Sequence, residues 1–285
     1  MLIDLQLHST YSDGYLTPTR LADLLSKKGI RVASLTDHNT VRGQYEFWRA
    51  CQKRDIKTIP GLEIYTKLEY KRFNILWYNF SDHRHLHEML RHSQIRRRNN
   101  IRRILKKLNF DLDIERTLDK YTKYIPINHI IDDILEEESN KKRIQKELGK
   151  EDIRLNDVID NYFRNKEIGI LRESCIDINR VLELKEKLGG EVILNHPGKY
   201  GKTYLKEDFI SRLKEMGVDG VEKLSPHHSY STVMYLQHIA RKYDLIETGG
   251  SDFHIHAGDN YPVQNSWEYF QIEDEHLRRI KDIIE

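Results

Sequence analysis

The feature that most constrains the fold of this chain is a repeated pattern in which a short apolar run ends in histidine or an acid. The run LIDLQL leads directly into His8 and, through a polar turn, into Asp13. The run IRVASL leads in the same way into Asp37 and His38. Alternating or continuous apolar residues over four to eight positions predict buried strands, so polar groups are expected where each strand ends.

Helix signals separate these strands. Thr17 and Pro18 predict a helix start, and Gly29 predicts its end. A second helix is expected over about Val41 to Arg54, followed by the strand KTIPGLEIYT, which carries Glu63, and the strand RFNILWYNF, which carries Asn74. Strand and helix in alternation predict an α/β fold, a parallel barrel or open sheet whose site lies at the carboxyl ends of the strands.

The same pattern returns late in the chain. EVILNHPGKY supplies His196, and DLIETGGSDFHIH supplies Asp252 and His254, with GVDGVEKLSPHH between them. A closed parallel sheet would bring all of these strand-end residues to one rim. Imidazoles and carboxylates that converge on one point indicate either a metal site or an acid–base site.

The middle of the chain has a different character. We expect residues 83–187 to form a mostly helical insertion, and residues 1–82 with 188–285 to form the α/β domain. Residues 91–107 contain eight arginines or lysines and no acid, and their apolar positions keep helical spacing. The acidic stretch Asp132 to Glu138 follows, so this helix is either a phosphate-binding surface or a solvated helix paired with those acids.

Composition adds few constraints on partners. The 47 basic and 45 acidic residues of this 285-residue chain nearly cancel, so overall charge does not indicate nucleic-acid or membrane binding. The apolar runs are short, and we expect neither a signal peptide nor a membrane span. Cys51 and Cys175 are isolated, which favours a reducing cytoplasm over a disulfide framework or zinc knuckle. Nothing indicates an obligatory protein partner.

Five motifs resemble, in order and spacing, those of the PHP (polymerase and histidinol phosphatase) superfamily. They are LHSTYSDG, SLTDHNTVRG, IPGLEI, ILNHPGKY and GGSDFH. The nearer resemblance is to its branch of nucleotide phosphatases and 5'-to-3' exoribonucleases, which carry a helical insertion. YIPINHIIDDIL and NDVIDNYF are similar to parts of that insertion. The resemblance spans nearly the whole chain and implies a distorted (β/α)7 barrel that binds up to three divalent metals.

The resemblance also implies how the ligands are divided. One ion would take the position of Gln6 together with His8, Glu63 and Asp252. A second would share Glu63 and take the position of Asn74 together with His196. The third would take Asp13, His38 and His254. The family pattern has histidine at the positions of Gln6 and Asn74, so each member of the bridged pair has an amide in place of an imidazole.

An amide oxygen is a neutral ligand that suits hard cations and is a poor partner for zinc. We therefore expect the two bridged positions to bind weakly and the third position to bind best. The resemblance favours Mn²⁺, with Zn²⁺, Fe²⁺ or Mg²⁺ as alternatives and one to three ions in total. The amides are compatible with divergence toward one-metal chemistry, with decay to a noncatalytic binding protein, or with deliberate mutation.

The implied reaction is hydrolysis of a phosphate ester by a water that the metal activates. Glu63 would bridge two ions, and His254 or Asp37 would take part in proton transfer. Asp37 has a second interpretation, in which it orients His38 as a supporting carboxylate, and we favour that one.

The expected substrate is a nucleotide, a 3',5'-bisphosphonucleotide or the 5'-end of a short RNA. Candidate contacts are Arg97, Arg98, Arg102, His129, Lys199 and His227. The rival hypothesis is a PHP-fold protein that binds phosphate ligands or RNA without turnover. A scaffold that keeps the barrel only for interactions is a third.

Overall fold

The computed structural model describes residues 1–165, 171, 173–201, 204–254 and 270–285. They form two compact units, residues 1–88 together with 175–285, and residues 89–174. The boundaries therefore lie inside the 83–187 limits expected for the insertion. The strand at Ile176–Asp177 pairs with the strand that carries Glu63, which assigns this segment to the first unit.

The strands lie in the first unit. They are β1 (Leu2–Leu7), β2 (Val32–Leu35), β3 (Lys57–Thr58), β4 (Gly61–Leu68), β5 (Lys71–Tyr78), β6 (Ile176–Asp177), β7 (Glu191–Leu194), β8 (Gly220–Leu224), β9 (Ile246–Gly249) and β10 (Ile272–Glu273).

Ten α-helices and a helical turn lie in the described residues. They are α1 (Pro18–Lys27), α2 (Gln44–Gln52), α3 (Arg84–Leu108), α4 (Ile114–Lys120), α5 (Ile127–Glu136), α6 (Glu138–Leu148), α7 (Leu155–Val158), α8 (Ile178–Leu188), α9 (Glu207–Met216) and α10 (Tyr230–Lys242), and a C-terminal helical turn covers Lys281–Ile284. A π-helical turn at Ile159–Phe163 and 3₁₀ turns at Pro197–Tyr200 and Asp274–His276 complete the described elements.

The strands form a distorted barrel. One sheet has the order β10-β1-β2-β3 and the other the order β6-β4-β5-β7-β8-β9. Parallel bridges from Leu7 to Phe253 and from His38 to Glu63 connect the two sheets at both sides. Strands β1, β2, β4, β5, β7, β8 and β9 thereby form a circuit of seven, which is the α/β, (β/α)7 architecture that the sequence predicts.

One part of the sheet differs from the expected parallel pattern. β5 runs antiparallel to both of its neighbours, β4 and β7. Only Glu69 and Tyr70 separate β4 from β5, and a parallel return needs a far longer connection. Glu69 has φ of 56°, the left-handed backbone typical of a tight hairpin. The reversal brings Asn74, near the start of β5, opposite Tyr65 of β4.

Two apolar layers hold the first unit together. One cluster joins Ile3 and Leu5 of β1 to Leu76 of β5 and Ile193 of β7. The other packs the apolar faces of α1 and α2 against β1 and β2. α1 begins as expected, because the Thr17 hydroxyl accepts a hydrogen bond from the Arg20 amide and Pro18 follows the cap.

The second unit has its own core. Ile101, Ile104 and Leu105 of α3 pack with the apolar face of α5, which includes Ile130 and Ile134. These are fully or almost fully buried, so the helical spacing in the basic stretch marks a true packing face. None of the helices in the described residues has the length and apolar character needed to cross a membrane.

Candidate metal centre

The strand-end residues converge at one mouth of the barrel. His8 and Asp13 lie on the turn after β1, and His38 lies beyond β2. Glu63 lies near the start of β4. Its backbone forms a parallel bridge with that of His38, which connects the two sheets. Asp252 follows β9. Residues separated by more than 200 positions are thereby in direct contact, as the sequence predicts.

The first donor group surrounds Asp13. His8, Asp13, His38 and His254 each offer a ligand atom within 4.8 Å of the others. The carboxylate of Asp13 lies 3.5 Å from Nε2 of His38 and 3.4 Å from Nε2 of His254. Nδ1 of His8 lies 3.7 Å from the same carboxylate. Three imidazoles around one carboxylate are a donor set suited to a divalent transition metal.

The second donor group surrounds the other ring nitrogen of His8. Its Nε2 lies 3.0 Å from Oε2 of Glu63 and 3.2 Å from Oδ1 of Asp252. Among the described residues, both ring nitrogens of His8 lack an aligned hydrogen-bond acceptor, although the ring is fully buried. Ligand atoms that are close but misaligned for hydrogen bonding fit a cation at their centre, so a divalent ion fits this mouth of the barrel.

Electrostatics keep these carboxylates ionised. Burial opposes the ionisation of Asp13, but His38, His254 and His8 together hold its pKa far below the ordinary value. Burial likewise opposes ionisation of Glu63, yet the surrounding histidines hold its pKa well below the usual range. Anionic carboxylates are the protonation state that a cation requires, and the desolvated mouth strengthens their attraction for one.

The buried histidine after β7, His196, is held in its neutral form. Burial and the positive charge of Lys199 lower the pKa of His196 to about 4, although nearby Glu63 opposes this. Its Nε2 lies 3.3 Å from Oε1 of Glu63. The His196 backbone amide donates to Oε2 of the buried Glu222, which fixes a residue with φ of 21°. A neutral imidazole is the form that can ligate a metal.

Asp37 supports the site in a way that the sequence did not predict. One of its oxygens accepts hydrogen bonds from the Ser9 amide and the Ser12 hydroxyl, and the other from the Ser9 hydroxyl. Burial raises the pKa of Asp37 to about 6 despite these hydrogen bonds. Asp37 thus anchors the turn that carries Asp13, while the ring of Tyr65 stacks on His38 at 4.4 Å.

Asp4 is a supporting residue that the sequence reasoning missed. Its carboxylate accepts hydrogen bonds from the hydroxyl of Ser251 at 2.6 Å and from its amide at 3.0 Å. Ser251 precedes Asp252, which has the uncommon φ of 51°. The strand period could have identified it, because Asp4, Gln6 and His8 are spaced two residues apart and alternate residues of a strand point to the same face.

The two amides predicted as weak ligands both contact Glu63. Gln6 Nε2 donates to Glu63 Oε2 at 3.3 Å and to Asp252 Oδ1 at 3.0 Å. Asn74 Nδ2 donates to Glu63 Oε1 in a short hydrogen bond. Asn195, which the sequence reasoning missed, donates to the same oxygen at 2.8 Å. Its position directly before His196 at the end of β7 was the signal that could have identified it.

Two of the predicted substrate-binding residues, Lys199 and His227, contact Asp252. Lys199 Nζ lies 3.2 Å from Asp252 Oδ2, and His227 Nε2 lies 2.7 Å from the same oxygen. Burial opposes ionisation of Asp252, but Lys199, His254 and His227 hold its pKa well below normal. His254 is oriented by its own chain, since its Nδ1 lies 2.7 Å from the Asp252 carbonyl oxygen. His256 follows His254 by two positions in the sequence, which makes it a candidate substitute ligand, and it lies outside the described residues.

The remaining predicted substrate-binding residues belong to the second unit. The arginines among them pair with acids other than those that the sequence predicts. Arg97 forms a short ion pair with Glu173, donates to the Ile125 carbonyl and stacks on Tyr124. Arg98 pairs with Asp119, and both Arg98 and Arg102 pair with Glu115. The backbone of His129 accepts from Tyr121. In these contacts the pairing acids come from α4 and Glu173, not from the stretch at 132–138.

Sequence comparison identifies one domain family. The model of a family described as the PHP domain matches residues 4–163, which is more than half of the chain. That range contains His8, Asp13, His38 and Glu63, four of the residues that meet at the barrel mouth.

Individual relatives align along nearly the whole chain. A 5'-3' exoribonuclease of Haemophilus influenzae is 28% identical over 292 residues, which cover 94% of this chain and 98% of the relative. A phosphoribosyl 1,2-cyclic phosphate 1,2-diphosphodiesterase of Eggerthella lenta is 23% identical, with 89% and 94% covered. A Bifidobacterium adolescentis structure described as a metal-dependent phosphoesterase matches with a TM-score of 0.74 at 21% identity, covering 91% of this chain and 89% of its own, which shows a shared fold.

Proposed function

Because this chain belongs to the PHP domain family, we propose that it is a metal-dependent hydrolase that cleaves phosphate esters of nucleotides or of short RNA. The observation that carries the proposal is the pair of donor groups that share His8. Asp13, His38 and His254 lie on one side of this ring, and Glu63 and Asp252 lie on the other. A surface acid cluster would not need buried imidazoles aimed at a common centre.

When bound, a divalent cation would supply an acidified water and would neutralise phosphate oxygens. Asp13, His38 and His254 would hold it, with His8 as a fourth ligand. Glu63 and Asp252 keep negative charge beside this position. Asp37 holds the Asp13 turn through Ser9 and Ser12, which is a positioning role. His254 is the partly exposed imidazole of the set. Its Nε2 would face the ion and its Nδ1 lies on the Asp252 carbonyl oxygen, so we assign it the role of a ligand and not of a proton donor.

The substrate assignment is finer than the family alone provides. We propose a 3',5'-bisphosphonucleotide or the 5'-end of a short RNA. An exoribonuclease and a cyclic phosphate diesterase among the relatives support this class. Lys199 and His227 present cationic or hydrogen-bonding nitrogens next to Asp252, and both suit phosphate oxygens. Arg98, Arg102 and His129 remain a proposed RNA-binding surface of the second unit, where phosphate would compete with the acids that pair with the two arginines. Arg97 is buried and paired with Glu173, so it would not face the RNA.

We further propose Mn²⁺ as the ion, since imidazole and carboxylate donors together suit it. Residues 89–174 would act as the insertion subdomain. A reducing compartment such as the cytoplasm is also proposed, because Cys51 and Cys175 are both free cysteines.

The test is hydrolysis by purified protein with Mn²⁺. Phosphate release from adenosine 3',5'-bisphosphate and nucleotide release from a 5'-phosphorylated RNA pentamer are measured with and without EDTA. We expect turnover that EDTA and Asp13→Ala both abolish. Asp23→Ala is the matched control, because Asp23 is half-exposed and its contact is an ion pair with Arg54 on the barrel surface. Absence of turnover on both substrates, with metal bound, would refute the proposal.

A noncatalytic phosphate-binding or RNA-binding protein is the second candidate. The observation that favours it is the engagement of Glu63 by the Gln6 and Asn74 amides. This candidate predicts binding of the same ligands by calorimetry without product formation. Measured turnover that Asp13→Ala removes would exclude it.

A further inference from the structure

The environment of Glu63 differs from that of a carboxylate that bridges two cations. Its Oε1 accepts hydrogen bonds from the side-chain amides of Asn74 and Asn195. Its Oε2 accepts a third from Gln6. Each of these donors is itself buried, so the three hydrogen bonds form where solvent cannot replace them. The lone pairs that would face a second ion are already engaged by protein N–H groups.

Asp252 has the same character. Its Oδ2 is contacted by the ammonium group of Lys199 and by the ring of His227, and its Oδ1 accepts from Gln6. A lysine ammonium is always a donor and never a metal ligand when charged. A dication placed between Glu63 and Asp252 would lie close to this positive charge, and the like charges would repel beside the two buried carboxylates.

Asp13 presents the opposite arrangement. Nitrogens of His8, His38 and His254 face its carboxylate, and all three can ligate a cation once neutral. One oxygen also accepts a hydrogen bond from the Ser12 hydroxyl. The amide and ammonium donors found around Glu63 and Asp252 are not among these contacts.

We infer that this chain uses a single ion, held by Asp13, His38, His254 and His8, and that Lys199 with the amides of Gln6, Asn74 and Asn195 takes the place of further ions at Glu63 and Asp252. The inference rests on the proposed function and specifies its metal count. Lys199 then provides the second positive charge that meets the substrate phosphate. The carboxylates of Glu63 and Asp252 serve to hold these donors.

The first experiment counts ions directly. Protein saturated with Mn²⁺ and then desalted is analysed for metal content and by electron paramagnetic resonance. We expect one Mn²⁺ per chain with the six-line spectrum of an isolated ion. Two or more ions per chain, or the spectrum of a spin-coupled pair, would overturn the inference.

The second experiment locates that ion. We expect Asp13→Ala to weaken Mn²⁺ binding by at least about a hundredfold, and Asp252→Asn to change it by less than about threefold. Equal losses in the two variants, or a larger loss for Asp252→Asn, would place the ion at Glu63 and contradict the inference. Thermal melts in EDTA establish that each variant is folded. Asp13→Asn matches Asp252→Asn in size, and it should also weaken Mn²⁺ binding more than Asp252→Asn does.

A gain-of-site experiment tests the role of Lys199. The variant Gln6→His/Asn74→His/Lys199→Met should bind at least one additional Mn²⁺. The matched variant Gln6→His/Asn74→His/Lys27→Met keeps Lys199 and changes an exposed lysine of α1, so it should bind fewer ions than the first. Equal ion counts in the two would refute the assignment of Lys199. Hydrolysis is measured separately, so a protein that binds one ion without turnover refutes only the proposed function.

Discussion

Removal of the Asp4 carboxylate should destabilise the barrel far more than removal of a surface acid. Asp4 is 3% exposed and accepts hydrogen bonds from the hydroxyl and the backbone amide of Ser251. It accepts a longer hydrogen bond, at 3.3 Å, from the backbone amide of Gln6. These contacts hold the backbone that leads into Asp252 and its left-handed φ. Asp4→Ala leaves buried donors without their acceptor.

The magnitude follows from the two shorter hydrogen bonds. A hydrogen bond to a charged acceptor contributes roughly 1.5–3 kcal/mol, so two of them contribute about 4 kcal/mol. Relief of the buried charge offsets the contribution of the longer third bond, and we expect Asp4→Ala to lower the free energy of unfolding by about 4 kcal/mol. Asp4→Asn keeps the size of the side chain and one acceptor oxygen, and it should lose about half as much.

Guanidinium unfolding in EDTA measures this difference without a contribution from bound metal. The control is Asp23→Ala, whose exposed ion pair with Arg54 should contribute less than about 1 kcal/mol. A loss below about 1 kcal/mol for Asp4→Ala, or equal losses for the two variants, would refute the reasoning that this carboxylate organises the Asp252 turn.

Three further predictions concern the same mouth of the barrel. Asp37 has a pKa of about 6 in the folded protein against 3.8 for an unperturbed group, so the folded state holds its proton to higher pH and ionisation costs stability, up to about 3 kcal/mol, as pH rises from 4 to 7. The difference in unfolding free energy between wild type and Asp37→Asn should therefore move in favour of the variant over that range, and a pH-independent difference would contradict it. Gln6→His with Asn74→His should raise phosphate release at least about tenfold if the amides limit the rate, and an unchanged rate would rule them out as the limit. Gly14→Ala brings a Cβ within 2.4 Å of the His8 carbonyl oxygen, a backbone atom that cannot rotate away, so Mn²⁺ affinity should fall by at least about tenfold, which calorimetry would measure and an unchanged affinity would contradict.

Much of the fold was predictable from local signals. The alternation in β1, the cap at Thr17 and Pro18 and the apolar spacing of α3 each depend on neighbours within a few positions. The prediction of the PHP family is confirmed. The relatives are named as an exoribonuclease and a diphosphodiesterase, which agrees with the predicted class of enzyme. The barrel is confirmed in architecture, but a uniformly parallel sheet was wrong because a two-residue connection reverses β5.

The residues that meet at the candidate site were predictable from the sequence. The residues that hold them in place were less predictable. His8, Asp13, His38 and His254 follow from the strand-end rule and do meet. Asn195 and Asp4 escaped because an amide and a single acid on a strand have many uses, and only their partners distinguish those uses. The direction of the Gln6 amide is a similar case, since its N–H donation to Glu63 depends on a residue 57 positions away.

The sequence by itself therefore determined which side chains are available at the ends of the strands, because strand periodicity and helix caps are local properties of the chain. Only the tertiary structure decided which carboxylate faces imidazoles and which faces amides and an ammonium group. That choice depends on barrel closure, which packs β1, β4, β7 and the segment after β9 together. The charge around Asp13, on which the inferred number of ions rests, follows from that packing.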